Sequence, residues 1–384
     1  MARLQSRMGN YDILRVIAAF LIVILHLSVA YVNRAPESYE SYQQWQLAVR
    51  ISAISRPGVP IFVMLSGAFL LGREGGTDLK RIFTRYVPKI IAIFLVWSFF
   101  YALLEQDFYS QALGQGLVDA RQGLDHSRLA EDLVLGHYHM WYLYMLLGLY
   151  LVTPLLTHMC KGAATAQLFY FIGVAVVFTG VSKFNQELWH LELLGEVLEK
   201  MAFFMPLGYV GYFVAGYVLK NRSPGLVSAV VLAALGVLAY LYTCRATYEI
   251  NPMFGFSSPN LVYFSNYSPT VWLMSLGIFA LFALAGKLTA SAGKGDGSRR
   301  KSPLGLLVAF LRRIPEYMLL VYLVHPAVIK IMKKYELLGD GSQAKLLLLD
   351  GVKVFSISLL LSMVLMEIYW LFGHIFKANA KGIN

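Results

Sequence analysis

Tyr11-Asp12-Ile13-Leu14-Arg15-Val16-Ile17-Ala18-Ala19-Phe20-Leu21-Ile22-Val23-Ile24-Leu25-His26 reads as the greater part of a membrane-crossing helix, yet it holds three ionisable side chains. A charged group at bilayer depth costs about 3 kcal/mol on insertion scales and is tolerated chiefly where it faces a protein interior or a wet cavity. The spacing fits such a face. At about 100° per residue, the step from Arg15 to His26 returns to nearly the same direction, so Arg15, Ala19, Ile22 and His26 form one stripe, with Asp12 a turn earlier on the same side. That step is also a rise of roughly 16 Å, over half of a hydrocarbon core about 30 Å thick. The stripe connects one membrane surface with the interior.

Composition extends this reading to the whole chain. With 58% hydrophobic and 14% charged residues and a mean hydropathy of +0.58, it is far more apolar than a soluble globular protein. About ten apolar runs are long enough to span, over 13–33, 58–72 or longer, 87–105, 140–159, 166–182, 202–219, 225–243, 270–289, 314–332 and 347–373. The expected fold is all-α, a polytopic bundle of transmembrane helices forming a single domain over 1–384. The first run has no small-residue cleavage signal after it and is read as a retained helix. Residues 290–302, rich in Gly, Ser and Lys, read as a flexible linker.

Lysine and arginine placement sets the orientation. With both termini in the cytoplasm, the larger share of the 33 basic side chains falls in the inner segments, while the outer ones gather most of the acids. The net charge of +11 then reflects topology and contact with membrane lipids, and no nucleic-acid footprint is read from it. Cys160 and Cys244 fall near opposite faces, so no disulfide is expected. His137-x-His139 is the only close histidine pair and has no neighbouring acid in the sequence, so no metal is expected. Phosphate-binding glycine loops, a nucleophile elbow and internal repeats are absent from the sequence.

A second stretch, Ser55-Arg56-Pro57-Gly58-Val59-Pro60 running on to Ser66-Gly67, breaks helical regularity with two prolines and a glycine. Either a helix starts at Gly58 and Arg56 lies at the surface, or residues 44–55 are the outer half of one interrupted span. In the second case Arg56 sits near the depth of His26, where irregular backbone must line a cavity or be buried in protein. Ser66 and Gly67 lack bulk, which suits either a narrow ligand chain or a closely packed helix.

Asp12-x-x-Arg15 followed by His26, then Arg56 with Val59-Pro60-x-Phe62-x-x-x-Ser66-Gly67, then His139-x-Trp141-Tyr142-Leu143 leading to Tyr150-Leu151-Val152-x-Pro154, and finally Val321-Tyr322-Leu323-x-His325-Pro326 stand in this order along the chain. Together they resemble the acyltransferase family 3 membrane proteins, within which the chain is similar to the enterobacterial common antigen O-acetyltransferase type. The resemblance implies transfer of an acyl group, most often acetyl, from cytoplasmic acyl-CoA (acetyl-CoA) to a hydroxyl of a saccharide or lipid-linked saccharide at a bacterial cytoplasmic (inner) membrane.

The chemistry is compatible with those residues. A neutral imidazole is matched to deprotonating an alcohol near pH 7, or to carrying the acyl group transiently, and His26 is the candidate. Arg15 and Arg56 suit coenzyme phosphates or a developing oxyanion, and Asp12 suits orienting Arg15. Arg81 and Arg85, with Lys89, Arg312 and Arg313, suit the nucleotide phosphates, and a pantetheine arm could pass Ser66 and Gly67. His139, Trp141 and Tyr150 are the acceptor-binding candidates; no role in the chemistry is read for His325. The outer segment 245–269 mixes aromatic and amide groups suited to a sugar. The rival reading is a secondary transporter or flippase for a lipid-linked saccharide, which also needs charges near the midplane. A homo-oligomer stays open.

Overall fold

The computed structural model describes residues 9–71, 78–114, 116–200, 208–254, 256, 258–292, 313–339 and 346–381. Within them the chain is helical, with no strand. In chain order the helices are α1 (Asn10–Val32), α2 (Tyr39–Ser55), α3 (Gly58–Leu70), α4 (Leu79–Glu105), α5 (Phe108–Gly114), α6 (Leu117–Gln122), α7 (His126–Leu135) and α8 (Trp141–Gly162). There follow α9 (Thr165–Phe184), α10 (Glu192–Lys200), α11 (Gly208–Asn221), α12 (Leu226–Ile250), α13 (Pro269–Ala292), α14 (Met318–Lys334) and α15 (Leu347–Lys381).

Nine of the described helical runs are long and apolar enough to cross a membrane. Of the span expected over 202–219, residues 202–207 lie outside the described residues and the rest falls in α11, which is not among the nine. Of the 290–302 linker, α13 takes residues up to Ala292, and 293–302 lie outside the described residues, as does Arg312. Between the apolar runs, residues 106–139 and 183–201 contain α5, α6, α7 and α10, short helices that the search for apolar runs passed over. In α7 the Asp125 carboxylate caps the first turn, accepting from the Ser127 and Arg128 amides. A hydrogen bond from the Ser127 hydroxyl, together with those amides, holds that carboxyl below the usual range.

The chain divides into two compact units, one formed by Met1–Ala68 with Thr165–Asn384 and the other by Phe69–Ala164. In the first, α1 is the central element and packs against α2, α13, α14 and α15. Its buried face includes Leu14, Ala18, Ala19, Ile22 and Val23. Ala19 joins Met318 and Val321 of α14 in a core flanked by Val16 and by Phe355 and Leu359 of α15. The indole Nε1 of Trp45 donates to the Val32 carbonyl at 2.9 Å, so α2 supplies a donor for a carbonyl at the end of α1 and runs back along it.

Where α2 meets α3 the backbone barely departs from helix. Arg56 keeps right-handed helical dihedrals, and its N–H bonds Ala53 at 3.3 Å, the carbonyl that Pro57 cannot reach. Ile61 N–H bonds the Pro57 carbonyl at 2.9 Å, and the helix resumes. Of the two readings of this stretch, the structure has the longer one: Tyr39–Leu70 forms one interrupted run.

A glycine pair locks α3 to α11. A Cβ on Gly67 would collide with the backbone of Phe213, and one on Gly216 with the backbone of Met64. The two helices cross backbone on backbone, which only Cβ-less positions allow. Lys220, at the end of α11, donates to the Ala68 carbonyl at 3.0 Å near the end of α3.

In the second unit α4 packs against α7 and α8. It opens with a helical turn, passes through a π-helical stretch at Ile82–Tyr86 and continues as regular helix to Glu105.

Candidate functional site

The stripe on α1 holds. Ala19 and Ile22 are buried between half-buried Arg15 and His26, so the charged line faces protein. Arg15 Nη1 lies 3.2 Å from Asp12 Oδ1, while Asp12 Oδ2 accepts the Gly9 amide at 3.1 Å. Asp12 thus ties the guanidinium and the helix start with one carboxylate, in keeping with a favoured acid in a first turn.

At the other end of the stripe His26 meets a second imidazole. The ring centroids of His26 and His325 are 5.0 Å apart, inclined at 39°. His325 is fully buried on α14, and its Nδ1 lies 2.7 Å from the Tyr322 carbonyl and 3.3 Å from that of Val321. Carbonyls only accept, so Nδ1 carries the proton and a neutral His325 presents Nε2 as an acceptor. The His-Pro order explains the contact. Pro326 has no N–H for the Tyr322 carbonyl one turn back, and the imidazole takes that place. Sequence reasoning placed His325 in a motif and left it without chemistry; the missing proline donor is the signal that could have found it.

Arg56 reaches the same level. A Cβ on Gly58 would lie 3.0 Å from the Ile22 side chain and 3.1 Å from the Ala18 carbonyl, so the α2–α3 junction presses on α1 just below His26. As α2 and α3 run back along α1, Arg56 stands within about one helical turn of His26 in height. Its guanidinium carbon lies 4.7 Å from the centroid of Phe264, a cation–π contact on the buried 3₁₀ turn Val262–Phe264. Arg56 Nε is buried and bonds no other described group.

A cleft of about 600 Å³ opens at this end of α1. Leu27, which follows His26, lines it together with Tyr31, Arg34, Lys333, Glu336 and Asp350. Asp350 is buried and fixed, accepting the Gly339 amide at 2.9 Å and lying 3.0 Å from Lys353 Nζ. Glu336 holds a left-handed backbone (φ 56°) just past α14, where glycine would be unstrained. A second cleft shares Tyr31 and Arg34 and is lined by Glu37, Gln44 and Trp45. The aromatic groups of the 245–269 segment are used partly for packing: Phe254 lies against Tyr42, and Phe256 and Tyr248 against Trp45.

Ser66 and Gly67 do not widen this space. The Ser66 hydroxyl donates to the Phe62 carbonyl at 3.0 Å, and the room made by Gly67 is filled by α11. Of the two readings left open for this pair, Gly67 follows that of a closely packed helix.

The remaining candidates belong to the second unit. Arg81 Cζ lies 5.7 Å from the Tyr86 ring, and Tyr86 meets Tyr150 edge-on at 5.9 Å. Arg81 and Tyr150, expected to serve different substrates, are therefore linked through one aromatic ring at the π-helical stretch. Arg85 is exposed on that stretch. His139 is buried, and Trp141 is 39% exposed at the start of α8.

His139 also has partners that sequence spacing could not supply. Its Nδ1 lies 2.8 Å from Nδ1 of His137, and Nε2 of His137 lies 3.4 Å from Glu105 Oε1. Tyr101 stacks on His137 at 4.3 Å and meets His139 edge-on at 5.0 Å. The acid missing beside His137 in sequence arrives from the end of α4. Among the described residues no group of three His, Cys, Asp or Glu side chains has the arrangement to hold a metal ion. Cys160 and Cys244 are buried thiols outside any disulfide.

A multi-pass helical membrane protein with an arginine–histidine stripe that ends against a second histidine is the class these features define. The acyltransferase family 3 model, described as an acyltransferase domain, matches residues 8–367, and the chain belongs to that family of membrane acyltransferases. No curated protein and no solved structure matches it.

Proposed function

We propose that this membrane acyltransferase moves an acetyl group from cytoplasmic acetyl-CoA to a hydroxyl of a cell-envelope saccharide at the bacterial cytoplasmic membrane. The observation that carries the reading is the pairing of His26 with His325, on a helix whose next residue, Leu27, lines a cleft with Arg34, Lys333 and Asp350. The cleft is the acceptor pocket, where Arg34, Lys333 and Asp350 hydrogen-bond a saccharide or lipid-linked saccharide. Buried Asp350 is tied in place and so costs little to orient.

His26 acts as general base. It takes the proton of the attacking hydroxyl, the oxygen adds to the thioester carbonyl, and collapse of the tetrahedral adduct expels the thiolate, which recovers the proton. Arg56 stabilises the oxyanion of that adduct, since a guanidinium removed from water acts strongly on nearby charge. His325 positions His26. Arg15, oriented by Asp12, recognises a coenzyme phosphate.

The test is purified protein in nanodiscs supplied with labelled acetyl-CoA and saccharide. Coenzyme release with labelled saccharide, lost in His26→Ala while the variant stays folded, is the expected result. A burst of coenzyme release before saccharide is added would assign His26 as a transient acyl carrier. Saccharide movement with an intact thioester would replace the reading with a flippase.

A further inference from the structure

The cleft beside Leu27 has a neighbour at the corner that joins α1 to α2. Tyr31 and Arg34 line both spaces, one of about 600 Å³ and the other of about 760 Å³. A single pyranose, with about a dozen heavy atoms each no larger than a water at roughly 30 Å³, needs under about 400 Å³. The first cleft alone takes one ring, and the second is more than a monosaccharide requires.

The corner between them is fixed. Trp45, which lines the second cleft, donates through Nε1 to the Val32 carbonyl at 2.9 Å. The Ser41 amide donates to Ser38 Oγ at 3.2 Å and the Ser38 amide to Ser41 Oγ at 2.9 Å, a reciprocal cap on the start of α2. With those serines engaged in the cap, the charged side chains of the second cleft are Arg34, Glu37 and Glu40, all exposed. The first cleft has the opposite balance. Asp350 is already paired with Lys353, so Arg34 and Lys333 stand there against Glu336 alone.

We propose that the second cleft is a subsite for a neutral sugar unit adjoining the one that is acetylated, so that the acceptor is an oligosaccharide laid across Arg34. This rests on the reading of the first cleft as the acceptor pocket. Glu37 and Glu40 accept from hydroxyls of the second unit, in charge-assisted bonds stronger than those between neutral groups. The same carboxylates repel a uronic acid, which gives the subsite its specificity. Arg34 donates to oxygens near the linkage. Because the two units are covalently joined and the corner is fixed, the second unit binds without the cost of bringing in a separate molecule.

Titration calorimetry on the full-length protein in nanodiscs, with acetyl-CoA left out, tests the proposal. The probes are neutral hexose and N-acetylhexosamine disaccharides with their component monosaccharides, and digalacturonic acid with galacturonic acid. A neutral disaccharide should bind at least about tenfold more tightly than either component, the worth of two or three hydrogen bonds. Digalacturonic acid should gain nothing over galacturonic acid. In Glu37→Gln/Glu40→Gln digalacturonic acid should gain as well, and in Glu37→Ala/Glu40→Ala the gain from a neutral second unit should disappear with monosaccharide binding unmoved. Size-exclusion profiles matching the unaltered protein are expected for both, since the side chains are exposed. No gain for any neutral disaccharide, or a bar to digalacturonic acid that survives Glu37→Gln/Glu40→Gln, overturns the subsite. A disaccharide gain in a protein that passes no label from acetyl-CoA to the disaccharide would keep the subsite and sink the function proposed above. Labelled monosaccharide with no disaccharide gain would do the reverse.

Discussion

Nδ1 of His325 lies 2.7 Å from the carbonyl oxygen of Tyr322, the acceptor from which Pro326 withholds the usual helical donor. A residue that weakens a helix thereby orients an imidazole. Pro326→Ala restores the backbone donor, so stability and activity should move in opposite directions. The helix gains up to about 3 kcal/mol, visible as a higher unfolding temperature. Acyl transfer falls ten- to about a hundred-fold as His325 loses its fixed direction. A variant that is both more stable and fully active would separate His325 from the chemistry.

His26→Ala should lower turnover by about 10²–10⁴-fold, the range for loss of a general base. His325→Asn keeps a donor for the Tyr322 carbonyl and removes Nε2, so it should retain the fold and lose a smaller part of the rate. Steady-state kinetics beside size-exclusion profiles of the purified variants would establish the order.

Arg56 offers a distinction between charge and shape. Arg56→Lys keeps the charge but loses the planar stack on Phe264, and Arg56→Met keeps bulk alone. If the guanidinium stabilises an oxyanion, both variants lose kcat with little change in KM, and Met loses more. A rise in KM at constant kcat would assign Arg56 to ground-state binding of the coenzyme.

The cleft yields a substrate-specific expectation. Asp350→Asn breaks the contact with Lys353 and loosens the Gly339 amide. The acceptor KM should rise several-fold while the acetyl-CoA KM stays constant, measured by varying each substrate at saturating levels of the other. Equal changes in both would place Asp350 in the general fold.

Gly67→Ala and Gly216→Ala should each destabilise by about 1–3 kcal/mol or more, the cost of overpacking a tight contact. Thermal unfolding in detergent would show it. Their effects should fall short of additive in the double variant, because the first substitution already parts the helices.

The sequence made the α1 stripe legible because a 3.6-residue period and the cost of intramembrane charge constrain it jointly. Arg56 was legible as an interruption, and its height followed from reading α2 and α3 as one span. Gly67 carried less information, since a missing side chain reads alike for a passage and for a crossing. The Glu105–His137 contact was invisible because it joins the end of α4 to a turn more than thirty residues later. The short helices between the apolar runs were missed for another reason: α7 and α10 are amphipathic, and a search for wholly apolar runs rejects them.

The crossing of Gly67 and Gly216 bears on how this protein can move. Side chains at an ordinary helix interface can change rotamer and let two helices slide, but main chain laid against main chain has no rotamers to change. α3 and α11 must therefore travel as a single lever. Any conformational cycle has to bend elsewhere, and Arg56, two residues from the start of α3, sits at the natural elbow of that lever.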